Sequence, residues 1–163
     1  DDPVLFYEHK RLYRLLKDEV PEEDYTVPLD KANIVREGND ITVIAYGMAL
    51  HHALNAAEKL SQEGISTHVV DVRSIYPLDK ETLVEAAKKT GKVLLISEDN
   101  KEGAIISEIS AIIAEEALFD LDAPIQRLAG PDVPAMGYAL NLEREFLIDE
   151  EKTINAMREL AEF

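Results

Sequence analysis

The chain has 163 residues, of which 46% are hydrophobic, a length and composition typical of one globular domain. Its formal net charge is −16, from 33 acidic and 17 basic residues, and a surface of this sign argues against a nucleic-acid partner. No apolar run approaches the ~20 residues of a membrane span, and a chain without cysteine forms no disulfide. The acidic excess is explained by solubility or, alternatively, by attraction of a basic partner.

The first 39 residues are predicted to form a strand and an acidic connection. Residues 4–7 are strand-like, residues 20–30 are acidic and interrupted by proline, and residues 32–36 are compatible with an edge strand. The chain does not begin with Met. We therefore expect a piece of a longer protein, one structural domain in which residues 1–39 pack on an α/β unit formed by residues 40–163.

Strand patterns alternate with helical periodicity from residue 40 onward. The predicted strands cover residues 41–46, 67–72, 93–97 and 125–128. Helices are predicted after each of the first three strands and at the end of the chain, and residues 131–142 are expected to be irregular. Gly64 and Gly91 are predicted helix stops, and Asp79 and Asp149 predicted N-caps. This alternation predicts a three-layer α/β fold, a mostly parallel sheet flanked by helices.

The strand ends carry no recognised phosphate or metal motif. The turn at Tyr46 and Gly47 lacks the glycine pattern of a phosphate loop, so it is interpreted as structural. His51 and His52 are adjacent in a predicted helix, where neighbouring side chains point about 100° apart and cannot easily share a metal ion. Neither cofactor-binding nor metal-binding residues are predicted.

Charged residues that follow the second and third strands have two interpretations each. The acidic residues of segment 98–103 could perform acid–base chemistry, but a helix cap or subunit contact is favoured because the segment has no nucleophile and no histidine. Arg73 could bind an anion, although such a residue more often pairs with a neighbouring acid. No catalytic residue is therefore assigned.

Five segments, taken in order, resemble one enzyme family. They read Leu-Phe-Tyr-Glu-His-Lys at 5–10, Val-Asp-Val-Arg-Ser-Ile-Tyr-Pro-Leu-Asp at 70–79, Glu-Asp-Asn-Lys-Glu-Gly at 98–103, Leu-Asp-Ala-Pro-Ile-Gln-Arg at 121–127 and Gly-Pro-Asp-Val-Pro-Ala-Met at 130–136. This series resembles the C-terminal half of the beta subunit of 2-oxo acid dehydrogenase decarboxylating components. Within that family the first and third segments are most similar to bacterial branched-chain (2-oxoisovalerate) members. The chain departs from the family at Gly137, where proline is usual.

The resemblance implies a fold, a cofactor and partners. The fold is that of a transketolase C-terminal domain. The whole enzyme contains two alpha and two beta subunits, oxidatively decarboxylates a branched-chain 2-oxo acid and reductively acylates lipoamide in the cytoplasm. Thiamine diphosphate with magnesium lies between the alpha subunit and the beta subunit's N-terminal domain. Since that domain is not in this chain, no catalytic residue is carried over, and the isolated chain is expected to be inactive.

The family resemblance also implies a docking site. Its C-terminal domain binds the subunit-binding domain of the lipoyl acyltransferase core through an acidic residue in a Leu-[Asp/Glu]-Ala-Pro motif and through the terminal carboxylate of the beta chain. These roles fall on Asp122 and Phe163 as partner-binding residues. Two alternatives remain open: the beta subunit of a pyruvate or acetoin dehydrogenase, and a free-standing α/β enzyme with its site at the strand carboxyl ends.

Overall fold

In the computed structural model, which describes residues 3–163, a five-stranded sheet lies between two layers of helices. Asp1 and Asp2, which begin the predicted segment 1–39, lie outside the described residues. The strands are β1 Asn33–Arg36, β2 Ile41–Ala45, β3 Thr67–Asp71, β4 Val93–Asn100 and β5 Gln126–Gly130. The helices are α1 Leu12–Leu15, α2 Gly47–Ser61, α3 Lys80–Thr90, α4 Ile105–Ala117, α5 Leu140–Phe146 and α6 Glu150–Ala161.

The sheet order is β1-β3-β2-β4-β5. β1 pairs antiparallel with β3, and the other three pairings are parallel, which confirms the predicted three-layer, mostly parallel α/β fold. All five residues of the central strand β2 are buried. A continuous apolar run is expected where a parallel strand is covered by helices on both faces.

Two apolar clusters form the core, one on each face of the sheet. On one face α2 and α6 pack together, and Leu60, Met157 and Leu160 are completely buried there. On the other face α3 and α4 cover the sheet, with Leu83 and Ile109 completely buried. In residues 3–163 no helix has both the length and the apolarity needed to cross a bilayer.

Helix ends follow the predicted local signals. Asp79 accepts a hydrogen bond from the Thr82 N–H at 3.2 Å, and Asp149 accepts one from the Lys152 N–H at 2.8 Å, so both predicted N-caps are confirmed. Gly91 ends α3 with a φ of +67°, a conformation that favours glycine. These caps fix where α3 and α6 begin and where the chain turns into β4.

Three predictions need correction. The strand predicted over residues 4–7 is wrong: these residues are exposed and belong to no strand of the described sheet, because an extended segment becomes a strand only beside a hydrogen-bonding partner. The strand predicted over residues 93–97 continues to Asn100. The stretch predicted to be irregular to residue 142 ends earlier, because α5 begins at Leu140.

The unusual glycine at position 137 is explained by a close contact. A Cβ atom placed there would lie 2.7 Å from both Cβ and Cδ1 of Leu142. A residue with a side chain at this position would therefore require Leu142 on α5 to move.

Candidate functional site

The first candidate site is the carboxyl edge of the sheet, between β2 and β4. The chain leaves β2 towards β3 on one side, and β4 lies on the other side, so this position is the topological switch point of the fold. Ligands of open α/β sheets usually bind in such a crevice. Tyr46 follows β2 at this position, and Ser97 and Asp99 lie opposite it on β4.

Tyr46 spans the crevice instead of leaving it open. Its hydroxyl donates to Asp99 Oδ2 at 2.7 Å and lies 2.8 Å from Ser97 Oγ, which itself donates to Asp99 at 3.0 Å. The pKa of Tyr46 is raised to about 12, chiefly by burial and also by the bond to Asp99, while the bond to Ser97 partly opposes these effects. The phenol therefore remains protonated at neutral pH, and the arrangement is that of a structural cross-link.

Two further charged side chains of this edge, Glu98 and Arg73, each lie beside a group of opposite or potentially opposite charge. Glu98 Oε2 lies 3.1 Å from His9 Nε2, which attaches the N-terminal segment to the end of β4. Arg73 Nε lies 3.8 Å from Asp71 Oδ2, the neighbouring acid that the sequence favoured as its partner. These contacts agree with a structural interpretation of both charged segments.

The histidines do not assemble a metal centre. Burial lowers the pKa of His51, and the Asp71 carboxylate opposes this effect. Among residues 3–163, no group of three His, Asp or Glu side chains is placed to hold a metal ion.

The second candidate site, at the opposite, amino-terminal edge of the sheet, contains Asp122. Its main-chain N–H donates to the Gly91 carbonyl at 2.7 Å, which attaches the turn before β5 to the end of α3. The two neighbours of Asp122 point to opposite faces: Leu121 packs on the α3–α4 cluster and Ala123 on the α2–α6 cluster. Asp122 is left exposed between them, and its carboxylate forms no ion pair with any residue of 3–163.

Phe163 follows α6 and is 65% exposed. The end of α6 is attached to the sheet by Lys92, whose Nζ donates to the Ala161 carbonyl at 3.1 Å. Because Gly91 contacts the Asp122 turn and Lys92 contacts the end of α6, the structure brings the two predicted partner-binding residues to the same edge. Each of them belongs to a segment that contacts the dipeptide Gly91–Lys92, the Asp122 turn through Gly91 and the end of α6 through Lys92.

A shallow groove adjoins Asp122; sequence reasoning singled out the side formed by residues 121–125 but missed the side formed by the end of α4. The groove has a volume of about 530 Å³ and lies between the end of α4 and the start of β5, with Leu118, Leu121 and Ile125 in its lining. Phe119 lies in the 3₁₀ turn that follows α4, next in the chain to Leu118 of the groove, and is 99% exposed. The sequence signals only a helix stop at Gly91, and nothing in it indicates that Lys92 contacts α6.

Comparison with known proteins identifies related chains. The family model of the transketolase C-terminal domain matches residues 30–153. The chain is 64% identical over 163 residues to the 2-oxoisovalerate dehydrogenase subunit beta of Bacillus subtilis. It is 44% identical over 132 residues to the pyruvate dehydrogenase E1 component subunit beta of the same organism.

One solved structure and the lengths of the relatives add to this comparison. A split-gene transketolase, solved as an inactive beta4 tetramer, matches with a TM-score of 0.75 and 28% identity over 89% of this chain and 46% of that chain. The two Bacillus matches cover 100% and 81% of this chain but 50% and 41% of the relatives. The chain thus spans about half the length, or less, of the curated relatives it matches.

Proposed function

Because the chain belongs to the transketolase C-terminal domain family, we propose that it is the C-terminal domain of a branched-chain 2-oxo acid dehydrogenase beta subunit. The observation that carries this proposal is the 64% identity, over all 163 residues, to a 2-oxoisovalerate dehydrogenase subunit beta. Identity to a pyruvate dehydrogenase subunit is lower, 44% over 132 residues. The whole enzyme oxidatively decarboxylates a branched-chain 2-oxo acid and reductively acylates lipoamide.

This chain contributes assembly surfaces and no catalytic group. Thiamine diphosphate with its magnesium ion is bound elsewhere in the enzyme, between the alpha subunit and the part of the beta subunit that is not in this chain. The proposed subunit partners are an alpha subunit and a second beta subunit. Large exposed apolar side chains in the connecting segment 1–39 support such contacts: Leu5, Phe6 and Tyr7 are 80%, 80% and 85% exposed. We propose one structural domain for the chain; its α/β unit, expected over residues 40–163, also includes β1 at Asn33–Arg36, which pairs with β3.

The amino-terminal edge is the proposed docking site for a basic subunit-binding domain of the lipoyl acyltransferase core. Asp122 and the carboxylate of Phe163 provide negative charge there. Three observations support this role: the net charge of −16, the exposed Asp122 carboxylate, and the attachment of both segments to Gly91–Lys92. A close charge pair at an interface contributes ~1.5 kcal/mol or more of coupling energy.

Reconstitution with substrate profiling tests the proposed enzyme. The full-length protein that contains this chain is combined with its alpha subunit and the lipoyl core, and kcat/KM is measured for several 2-oxo acids. We expect the highest kcat/KM with 2-oxoisovalerate or another branched-chain acid, and no turnover with the 163-residue chain in place of the full beta subunit. A preference for pyruvate would favour the alternative family member. Turnover by the 163-residue chain alone would favour a free-standing enzyme.

The free-standing alternative has less structural support. Its site would lie at the switch point between β2 and β4, and Tyr46 is bonded across that position to Asp99. A cytoplasmic location forms part of the main proposal, supported by the resemblance to bacterial members of the family. Fractionation of the source cells tests it.

A further inference from the structure

Lys92 joins two segments that are distant in the sequence. It lies between Gly91 and the first residue of β4, and its Nζ donates to the Ala161 carbonyl, 69 residues later, at 3.1 Å. Ala161 is the last residue of α6, where main-chain carbonyl groups have no partner within the helix. A lysine ammonium that binds such a carbonyl both satisfies it and suits the negative end of the helix dipole.

The main chain of Lys92 is itself held by buried threonines. Its carbonyl accepts hydrogen bonds from the Thr42 N–H at 2.8 Å and from the Thr90 hydroxyl at 3.0 Å. The Thr42 hydroxyl donates to the Ala86 carbonyl at 2.8 Å, and its oxygen lies 2.9 Å from the hydroxyl oxygen of Thr90. Thr42 and Thr90 are 0% and 9% exposed, so solvent does not compete strongly for these bonds. Lys92 therefore extends from a rigid position.

Gly91, the residue before Lys92, contacts the turn that contains Asp122. Gly91 accepts the hydrogen bond of the Asp122 N–H at 2.7 Å, and a Cβ at Gly91 would lie 2.5 Å from Asp122 Oδ2. Gly91 contacts the Asp122 turn through its main chain, and Lys92 contacts the end of α6 through its side chain. These two adjacent residues therefore set the distance between the Asp122 turn and the end of α6.

We propose that Lys92 is a positioning residue, which holds the carboxy-terminal end of α6 at a fixed place relative to Asp122 and thereby shapes the docking surface for a basic protein domain. The second part rests on the proposed docking function. The positive charge of Lys92 would by itself repel a basic partner. Removal of this lysine should therefore weaken docking if its role is to position α6, and strengthen docking if only its charge matters.

Lys88 provides a matched control. It also carries one positive charge near this edge, in the last turn of α3, and its Nζ lies 3.1 Å from Glu85. The neighbouring Glu85 carboxylate raises the pKa of Lys88, and the negative charges of Asp120 and Glu116 add weakly to this effect. Lys88 forms no hydrogen bond to α6 within residues 3–163. Lys88→Met removes a comparable charge without loss of the α6 contact.

The first experiment measures docking in the assembled full-length enzyme, with the basic subunit-binding domain as probe. Lys92→Met should raise Kd about fivefold or more, because the ammonium–carbonyl bond is lost. Lys88→Met should leave Kd unchanged or lower it, and Lys92→Arg, which keeps a cationic donor, should restore most of the affinity. A Kd for Lys92→Met at or below that of the parent would overturn the role in docking.

The second experiment needs no partner and separates this inference from the docking function. Amide hydrogen exchange of residues 158–163 is followed in the full-length protein, where Glu162 and Phe163 donate to Arg158 and Leu160. Exchange should be faster in Lys92→Met and unchanged in Lys88→Met. Equal exchange in both variants would overturn the positioning role, whatever the affinities. If Asp122→Asn leaves Kd unchanged, the docking function fails, and the exchange rates still decide whether Lys92 holds α6.

Discussion

Gly91 and Asp122 are in direct contact: the Asp122 N–H donates to the Gly91 carbonyl at 2.7 Å, and the Asp122 carboxylate occupies the space that a side chain at 91 would fill. Gly91 also has a φ of +67°, which ends α3. One residue therefore ends a helix and makes room for the exposed acid of the proposed docking site.

A substitution series should separate these two effects. Gly91→Ala and Gly64→Ala both place a Cβ at positive φ, which costs roughly 1–2 kcal/mol. A Cβ at Gly64 meets nothing within 4 Å, whereas at Gly91 it would lie 2.5 Å from Asp122 Oδ2. The Asp122 carboxylate is exposed and can rotate away, but the Asp120 carbonyl at 3.1 Å is main chain, so Gly91→Ala should lower the free energy of unfolding by up to about 1 kcal/mol more than Gly64→Ala. Urea unfolding of the 163-residue chain measures both, and equal losses would show that the Asp122 contact is unimportant.

The N-cap Asp79 should contribute more stability than the N-cap Asp149. Asp149 accepts one hydrogen bond from a main-chain N–H, that of Lys152, whereas Asp79 accepts from the N–H groups of both Thr82 and Ala32. Asp149→Ala should cost about 1 kcal/mol. Asp79→Ala should cost about 1–3 kcal/mol more, because the partly buried Ala32 N–H loses its partner. Comparable costs in urea unfolding would contradict this reading of Asp79.

Low pH should remove the contribution that Asp79 makes to the stability of the fold. Burial alone would raise the pKa of Asp79, but hydrogen bonds from Thr82 and Ala32 outweigh it, and the pKa lies below its ordinary 3.8. Its contribution to stability is therefore fully present above pH 3.8 and is lost as the pH falls through the lower pKa of the folded state. Asp79→Ala should accordingly cost less at pH 2 than at pH 7.

His68 should make the chain less stable in mild acid. Its side chain is 2% exposed; burial lowers its pKa below the ordinary 6.5, nearby Lys89 lowers it further, and Glu37 opposes both. The unfolded chain therefore takes up a proton before the folded chain, and stability falls as the pH drops below about 6.5. His68→Gln should reduce the slope of unfolding free energy against pH in this window. Urea unfolding between pH 7 and 5 measures it, and an unchanged slope would contradict the assignment.

The parts of the fold that depend on local sequence are predicted well. Asp79 and Gly91 act within one turn of their own helix, so the residue type and its position are sufficient to predict the cap and the stop. The apolar run of β2 also predicts burial on both faces. The strand expected at residues 4–7 fails, because a strand depends on a partner that the local sequence does not specify.

The candidate sites are less predictable, because they join residues that only the topology brings together. Tyr46 and Asp99 are 53 positions apart, and Lys92 and Ala161 are 69 apart. Neither pair forms a motif. Asp122 and Phe163 were predicted from a family resemblance, and the sequence alone gives no reason for them to share an edge through Gly91–Lys92.

Docking by Asp122 is tested most directly by the affinity of the assembled enzyme for the subunit-binding domain of the lipoyl core, measured by surface plasmon resonance. Asp120, another exposed acid two positions earlier in the chain, provides the control. Asp122→Asn should raise Kd tenfold or more through faster dissociation, as expected for a cost of ~2–5 kcal/mol. Addition of residues after Phe163 should have a similar effect, and Asp120→Asn should change Kd less than about twofold. An unchanged Kd for Asp122→Asn and for the C-terminal extension would contradict the docking site.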